Sequence, residues 1–234
     1  MGNEKATRIQ TSILNGVEKK ALVYLAKKQP KWMTSDALTL IGIIGALLSA
    51  AGYILCNWSL QWLWLASAGL VINWYGDSLD GTIARVRHTQ RPVYGFFIDH
   101  NVDIFTLFVA CVAAGLSPLM KLSSALMVLV AYLAITAHTY IGTILKNEFK
   151  LTYGKLGPTE FRLLIIIFNT LLIYIPWQER KVNILGTAFG VFDIFAWAVA
   201  AIILILCTVS FFKEKKYFAE LDPVKPFDGT IPEE

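Results

Sequence analysis

Charge is scarce in this chain. Only 16% of its 234 residues are Asp, Glu, Lys or Arg, against 56% hydrophobic and 13% aromatic, and mean hydropathy is +0.55. A soluble domain carries about a quarter charged residues and shorter apolar runs, so a water-soluble fold is excluded. Histidine and cysteine are scarcer still, with three of each. Cys56, Cys111 and Cys207 all fall inside apolar segments without paired spacing. That excludes a disulfide framework and a Cys/His metal knuckle, and reads as buried free thiols. The apolar runs also lack period-2 alternation, which argues against strands and against a membrane barrel. The first 36 residues hold seven Lys/Arg and no uninterrupted apolar core, so no cleavable signal peptide is expected. Nothing points to nucleic acid as a partner.

What is present is apolar sequence in helix-length blocks. Six stretches, 37–56, 59–76, 96–116, 120–145, 161–177 and 189–212, are long enough, or nearly so, to cross a hydrocarbon core of about 30 Å. The expected fold is therefore all-α, a polytopic membrane protein with six transmembrane helices. Lys and Arg cluster before the first span, in the second-to-third and fourth-to-fifth loops, and after the sixth. That bias places both termini and the 77–95 loop in the cytoplasm of a bacterial inner membrane or its equivalent. Ahead of the first span, Ile9, Ile13, Leu14, Val17, Ala21, Tyr24 and Leu25 share one helical face. Arg8, Lys19, Lys20, Lys27 and Lys28 ring much of the rest, and Leu22 and Val23 fall off the stripe. Such a helix lies in the headgroup plane and favours anionic lipid. The chain thus divides into a juxtamembrane segment 1–36, a membrane domain 37–212 and a cytoplasmic tail 213–234. The last stretch, "PVKPFDGTIPEE", has three prolines and no periodicity.

Carboxylates next to hydrocarbon are expensive and usually mark a site. Residues 76 to 103, "GDSLDGTIARVRHTQRPVYGFFIDHNVD", hold four aspartates between two apolar stretches. If the second span continues as a helix, Asp77, Asp80, Gly81 and Ala84 fall on one face about 100° wide, with Arg85 at its edge. Gly95, Asp99 and Asp103 follow at i, i+4, i+8, another single stripe. Two adjacent helices would aim four carboxylates into one small volume, where they cannot all stay ionised without a cation. Hard oxygen donors without a His/Cys set suit Mg²⁺ or Mn²⁺ better than zinc. Gly81 and Ala84 leave space beside the carboxylates, and Arg85 can meet a phosphate bidentately. The competing reading is that the aspartates simply pair with Arg85, Arg87 and Arg91.

These residues resemble the signature of the CDP-alcohol phosphotransferase family, D-x-x-D-G-x-x-A-R, a short loop, then G-x-x-x-D-x-x-x-D. Here it reads "DSLDGTIAR", "VRHTQRPVY", "GFFIDHNVD", with all eight fixed positions met and a loop about one residue longer than usual. The resemblance implies six spans with an N-terminal interfacial amphipathic helix, and an enzyme that displaces CMP from a CDP-linked alcohol by a second alcohol. It implies two divalent metals at the cytosolic membrane face, held by Asp77, Asp80 and Asp99. Asp103 would also lie near the metals as the base that deprotonates the acceptor hydroxyl. Gly81 and Ala84 would accommodate the cytidine, and Arg85 would hold a phosphate. One departure lies upstream: the family's P-N-x-L-T is here "SDALT", with Asp36 in the asparagine's place, and no role is carried onto Asp36.

The implied partners are a CDP-linked lipid or alcohol, a polar alcohol acceptor and membrane lipid; homodimerisation is left open. One branch of the family joins CDP-diacylglycerol to a small polar alcohol. The other joins CDP-choline or CDP-ethanolamine to diacylglycerol, and His100 beside Asp99 resembles that branch. The chain is short for it, so phosphatidyl transfer is the primary expectation. "GKLGPTEFR", residues 154–162, reads as a helix entry that could face the carboxylates. His138 and Asn169, lone polar residues in spans, suit interhelical hydrogen bonds. A cation transporter would place its carboxylates at midplane and show internal repeats, and neither feature is present.

Overall fold

The computed structural model describes residues 15–146, 158–175, 181–184 and 186–224. Among them seven α-helices follow in order: α1 (Asn15–Lys28), α2 (Ser35–Leu55), α3 (Leu63–Val86), α4 (Pro92–Leu116), α5 (Leu122–Lys146), α6 (Pro158–Tyr174) and α7 (Val191–Leu221). A short 3₁₀ turn, Leu60–Trp62, leads into α3. The boundaries follow local chemistry. Thr34 caps α2 by accepting from the Ala37 amide at 3.1 Å. Pro92 opens α4, where its missing N–H costs nothing. Between α3 and α4 only residues 87–91 remain, and His88 turns the chain there with φ 56°. The loop is thus shorter than the nine residues that separate the two sequence stripes, because α4 starts before its apolar run does.

Four helices, α2, α4, α5 and α7, are long and apolar enough to cross a membrane, and the protein is membrane-embedded. Among the described residues, four of the six expected spans meet this measure. α6 has 17 residues, about 26 Å of helix, and α3 carries Asp77, Asp80 and Arg85 in its second half. A second difference is a hairpin of β1 (Lys181–Ile184) and β2 (Thr187–Gly190), antiparallel with Lys181 opposite Gly190. Its turn contains Gly186 at φ 78°, a conformation glycine adopts freely. Strands were not expected, and the sixth span does not begin at 189: α7 begins only at Val191 and runs on to Leu221. The segment 213–221 is thus helix rather than tail, with Glu214 bonded to Lys146 of α5 at 2.7 Å.

α2 and α3 form the tightest pair. A β-carbon at Gly45 would overlap the Asn73 backbone, one at Gly69 the Ser49 backbone, and one at Gly76 the Gly42 backbone. Removing side chains lets two backbones meet, which is how helices associate where lipid supplies no hydrophobic drive. The buried Asn73 amide then donates to the Gly42 carbonyl at 3.0 Å. One apolar cluster (Tyr53, Leu63, Ala66, Leu119, Leu172) fills the bundle near the α2–α3 turn. Another (Leu22, Ala26, Met33, Leu38, Leu79, Ile83) seats α1 against α2 and α3 at the opposite end.

That second cluster corrects the expected helix face. Leu22, which falls off the apolar stripe, is buried with Ala26, while Tyr24 of the stripe is exposed. The protein-facing side of α1 is therefore offset from the stripe, leaving Tyr24 outward with Lys27 and Lys28. Ile9, Ile13 and Leu14 lie outside the described residues. Cys56 and Cys111 are buried free thiols as expected, whereas Cys207 is half-buried.

Candidate functional site

The close approach of α2 and α3 fixes where the second half of α3 points. Asp77 and Asp80 from α3 meet Asp99 and Asp103 from α4 around one cleft, with Thr39, Asn73 and Thr106 beside them. The continued helix and the i, i+4, i+8 stripe thus do place four carboxylates together. The cleft lies at the α1 end of the bundle, where Leu79 and Ile83 pack on Leu22 and Ala26.

Each α3 carboxylate has defined partners. Thr39 donates its hydroxyl to Asp80 Oδ2 at 2.6 Å, and the Gly81 amide donates to Asp80 Oδ1. The Arg162 guanidinium, from the start of α6, donates to Asp77 Oδ2 at 2.7 Å, and both side chains are largely buried. Asp80 lies one turn past the expected exit of its span. Burial pushes its carboxyl up to about 7, and the charges of Asp77 and Asp99 add to that, against the Thr39 and Gly81 donors, which favour ionisation. Burial and neighbouring carboxylates thus both disfavour the charged form of Asp80.

Gly81, Ala84 and Arg85 sit beside the cleft rather than in its lining. The Arg85 guanidinium lies across Gly81, 3.3 Å from where a β-carbon would stand, and donates to Thr82 Oγ1 at 2.9 Å. Arg87, one position past α3, donates to the backbone carbonyls of Gln29, Pro30 and Met33. Arg91 pairs at 3.6 Å with Asp36, both well exposed. The reading in which these arginines simply neutralise the aspartates finds no support in the contacts of Arg87 and Arg91.

The model of the CDP-alcohol phosphatidyltransferase family matches residues 32–210, most of the chain and all of the cleft. The chain belongs to the CDP-alcohol phosphatidyltransferase family. It is accordingly a transferase of phospholipid synthesis in a family generally dependent on divalent metal. Among curated proteins, none matches the chain.

For a CDP-alcohol phosphatidyltransferase the donor set fits a hard cation. Four carboxylates and two threonines surround the cleft, and no cysteine or histidine lines it. Among the described residues no three His, Cys, Asp or Glu side chains are grouped as a ready ion cage. The reason is visible for α3: Asp77 is turned to Arg162 and Asp80 to Thr39.

Two of these partners were not singled out as site residues from sequence. Thr39 is the threonine that "SDALT" keeps from the family's opening motif, and this was the signal available. Arg162 lies in "GKLGPTEFR", whose helix start does face the carboxylates, although spacing alone could not name its partner. His100 does not line the cleft. Its Nδ1 is 2.8 Å from the Phe96 carbonyl, and its ring lies between Phe96 and Tyr140, at centroid distances of 4.1 and 5.3 Å. Asn169 bonds Tyr53 and Ser67 across helices, and His138 approaches Glu214 of α7 at 3.5 Å.

Proposed function

We propose that this enzyme transfers a phosphatidyl group from CDP-diacylglycerol to the hydroxyl of a small polar alcohol, releasing CMP at the cytosolic face. The observation that carries this reading is the single cleft lined by Asp77, Asp80, Asp99 and Asp103 within the family-matched region. Asp77, Asp80 and Asp99 would hold two divalent ions, Mg²⁺ or Mn²⁺, with Asp103 beside them. Bound there, the ions supply positive charge that neutralises the pyrophosphate and the departing CMP. Gly81 and Ala84 leave room for the cytidine, and Arg85, freed from Thr82, clamps a phosphate oxygen pair.

Asp103 accepts the proton of the acceptor hydroxyl. The resulting oxygen attacks the phosphorus that carries the diacylglycerol. A new P–O bond to the acceptor forms as the bridging P–O bond of the pyrophosphate breaks, and its electron pair leaves with CMP. Asp103 is left protonated and returns its proton to solvent at the cytosolic mouth.

Transfer from a CDP-amino-alcohol to diacylglycerol gains nothing from the geometry, since His100 is engaged by Phe96 and Tyr140. The test is purified protein with Mg²⁺, labelled CDP-diacylglycerol and a panel of polar alcohols, scored for CMP and new lipid. A parallel panel uses CDP-ethanolamine and diacylglycerol; product only there would replace this reading with the other branch. Excess chelator should abolish turnover, and full activity in chelator would remove the metals from the mechanism.

A further inference from the structure

The Arg162–Asp77 pair does not stand alone. Arg162 is three residues from Thr159 on α6, so the two lie on neighbouring positions of one helix flank. Thr159 donates its hydroxyl to Glu18 Oε1 of α1 at 2.6 Å. The same Glu18 oxygen accepts from the Trp74 indole N–H of α3 at 2.9 Å. One carboxylate on the N-terminal helix thus ties the start of α6 to the helix that carries Asp77. Hydrogen bonds to an ionised acceptor are stronger than neutral ones, and this one ties the first turn of α6 to α1.

We propose that Glu18 is a positioning residue: through Thr159 it anchors the start of α6 and so sets how firmly Arg162 holds Asp77 against an incoming divalent cation. The inference rests on the reading of Asp77 as a metal ligand. Arg162 and a cation compete for the same carboxylate, so loosening Arg162 lowers the competition and tightens metal binding. Gln at position 18 keeps an oxygen acceptor in place, whereas Ala removes it. Trp74→Phe cuts the link to α3 and leaves the link to α6.

The experiment measures Mn²⁺ binding to purified protein by electron paramagnetic resonance, with no substrate present. Glu18→Ala and Thr159→Val should each bind Mn²⁺ roughly three- to tenfold tighter than wild type, the size expected when one hydrogen bond to a charged group is lost and partly transmitted. Trp74→Phe should bind as wild type does, Glu18→Gln, which keeps the acceptor but loses its charge, should fall between wild type and Glu18→Ala, and Arg162→Gln should show the largest gain. A purely structural role in seating α1 predicts instead that Trp74→Phe matches Glu18→Ala while Thr159→Val is silent, and that result overturns the proposal. Hydrogen exchange across residues 158–165 reads the anchor independently of metal. Protection there should fall in Glu18→Ala and in Thr159→Val. Should wild type bind no Mn²⁺, the metal reading of the cleft fails; unchanged exchange in both variants would show that the anchor itself is wrong.

Discussion

Asp103 lies two turns along α4 from the Gly95 that opens its stripe and one turn from Asp99. Asparagine at 103 keeps the shape and one coordinating oxygen but cannot take up the acceptor proton. Asp103→Asn should therefore retain CDP-diacylglycerol binding within a few-fold while turnover falls by roughly 10²–10⁴, the range general-base loss produces. Parallel loss of binding and rate, seen by titration against single-turnover assays, would make Asp103 a structural ligand instead. The two arginines near the end of α3 separate in a different way. Arg85 lies across Gly81 beside the cleft, and lysine there loses the planar fork that fits a phosphate. Arg85→Lys should cost about 1.5–3 kcal/mol of transition-state stabilisation, tenfold to a hundredfold in kcat/KM. Arg87 has no contact with the cleft but holds three backbone carbonyls of the α1–α2 connection. Arg87→Lys should lower the melting temperature with a loss of about 1–2 kcal/mol and leave kcat near wild type. Equal loss of kcat in both variants would mean that the two side chains share a phosphate. At this scale the aspartate stripes were legible because helical spacing is a local property. The Arg162–Asp77 pair was not, since it joins residues 85 apart in sequence.

Helix packing decides whether those stripes ever meet. The glycines of α2 and α3 mark where two backbones touch. The interface draws on Gly42, Gly45 and Gly52 from α2 with Ala66, Gly69 and Gly76 from α3. Periodicity identifies a small-residue face, but which helix it meets is set by tertiary contact. Gly76 directly precedes Asp77, so its environment bears on the site as well as on stability. Gly76→Val should destabilise the protein by about 3 kcal/mol or more through overpacking. Gly95→Ala, whose new methyl meets open space, should be neutral or slightly stabilising because alanine favours helix. Thermal unfolding in detergent, followed by size-exclusion chromatography, distinguishes them; tolerance of valine at 76 would refute the backbone contact. The β-hairpin escaped a periodicity reading for a physical reason. Its strands are four residues each, too short for alternation to stand out, and β2 runs straight into the apolar start of α7.

The whole molecule places its chemistry at one end. Several cross-element contacts gather there: Asp36 with Arg91, Arg87 with the α1–α2 connection, Glu18 with Thr159, and Lys146 with Glu214. At the other end Asn57 bonds the Leu116 carbonyl, and the Lys121 amide donates to Asp193. The orientation is proposed from lysine and arginine bias alone, which is a sum over loops and needs no tertiary knowledge. The number of spans was less legible, since α3 and α6 owe their place to packing rather than to apolar length. The proposed orientation puts the cleft end in the cytoplasm, where a soluble acceptor and CMP exchange. Thr89 and Gln90, exposed in the α3–α4 loop, report on it directly. Their substitution by cysteine should leave the fold intact, because neither lies in a helix or the cleft lining. Background is low: Cys56 and Cys111 are buried, and Cys207 is half-buried in a helix apolar enough to sit in lipid. Thr89→Cys and Gln90→Cys should react with a membrane-impermeant thiol reagent in inside-out vesicles and stay unlabelled in intact cells until the membrane is permeabilised. Labelling from outside intact cells would invert the topology and carry the carboxylate cleft, with its phosphatidyl transfer, to the opposite leaflet.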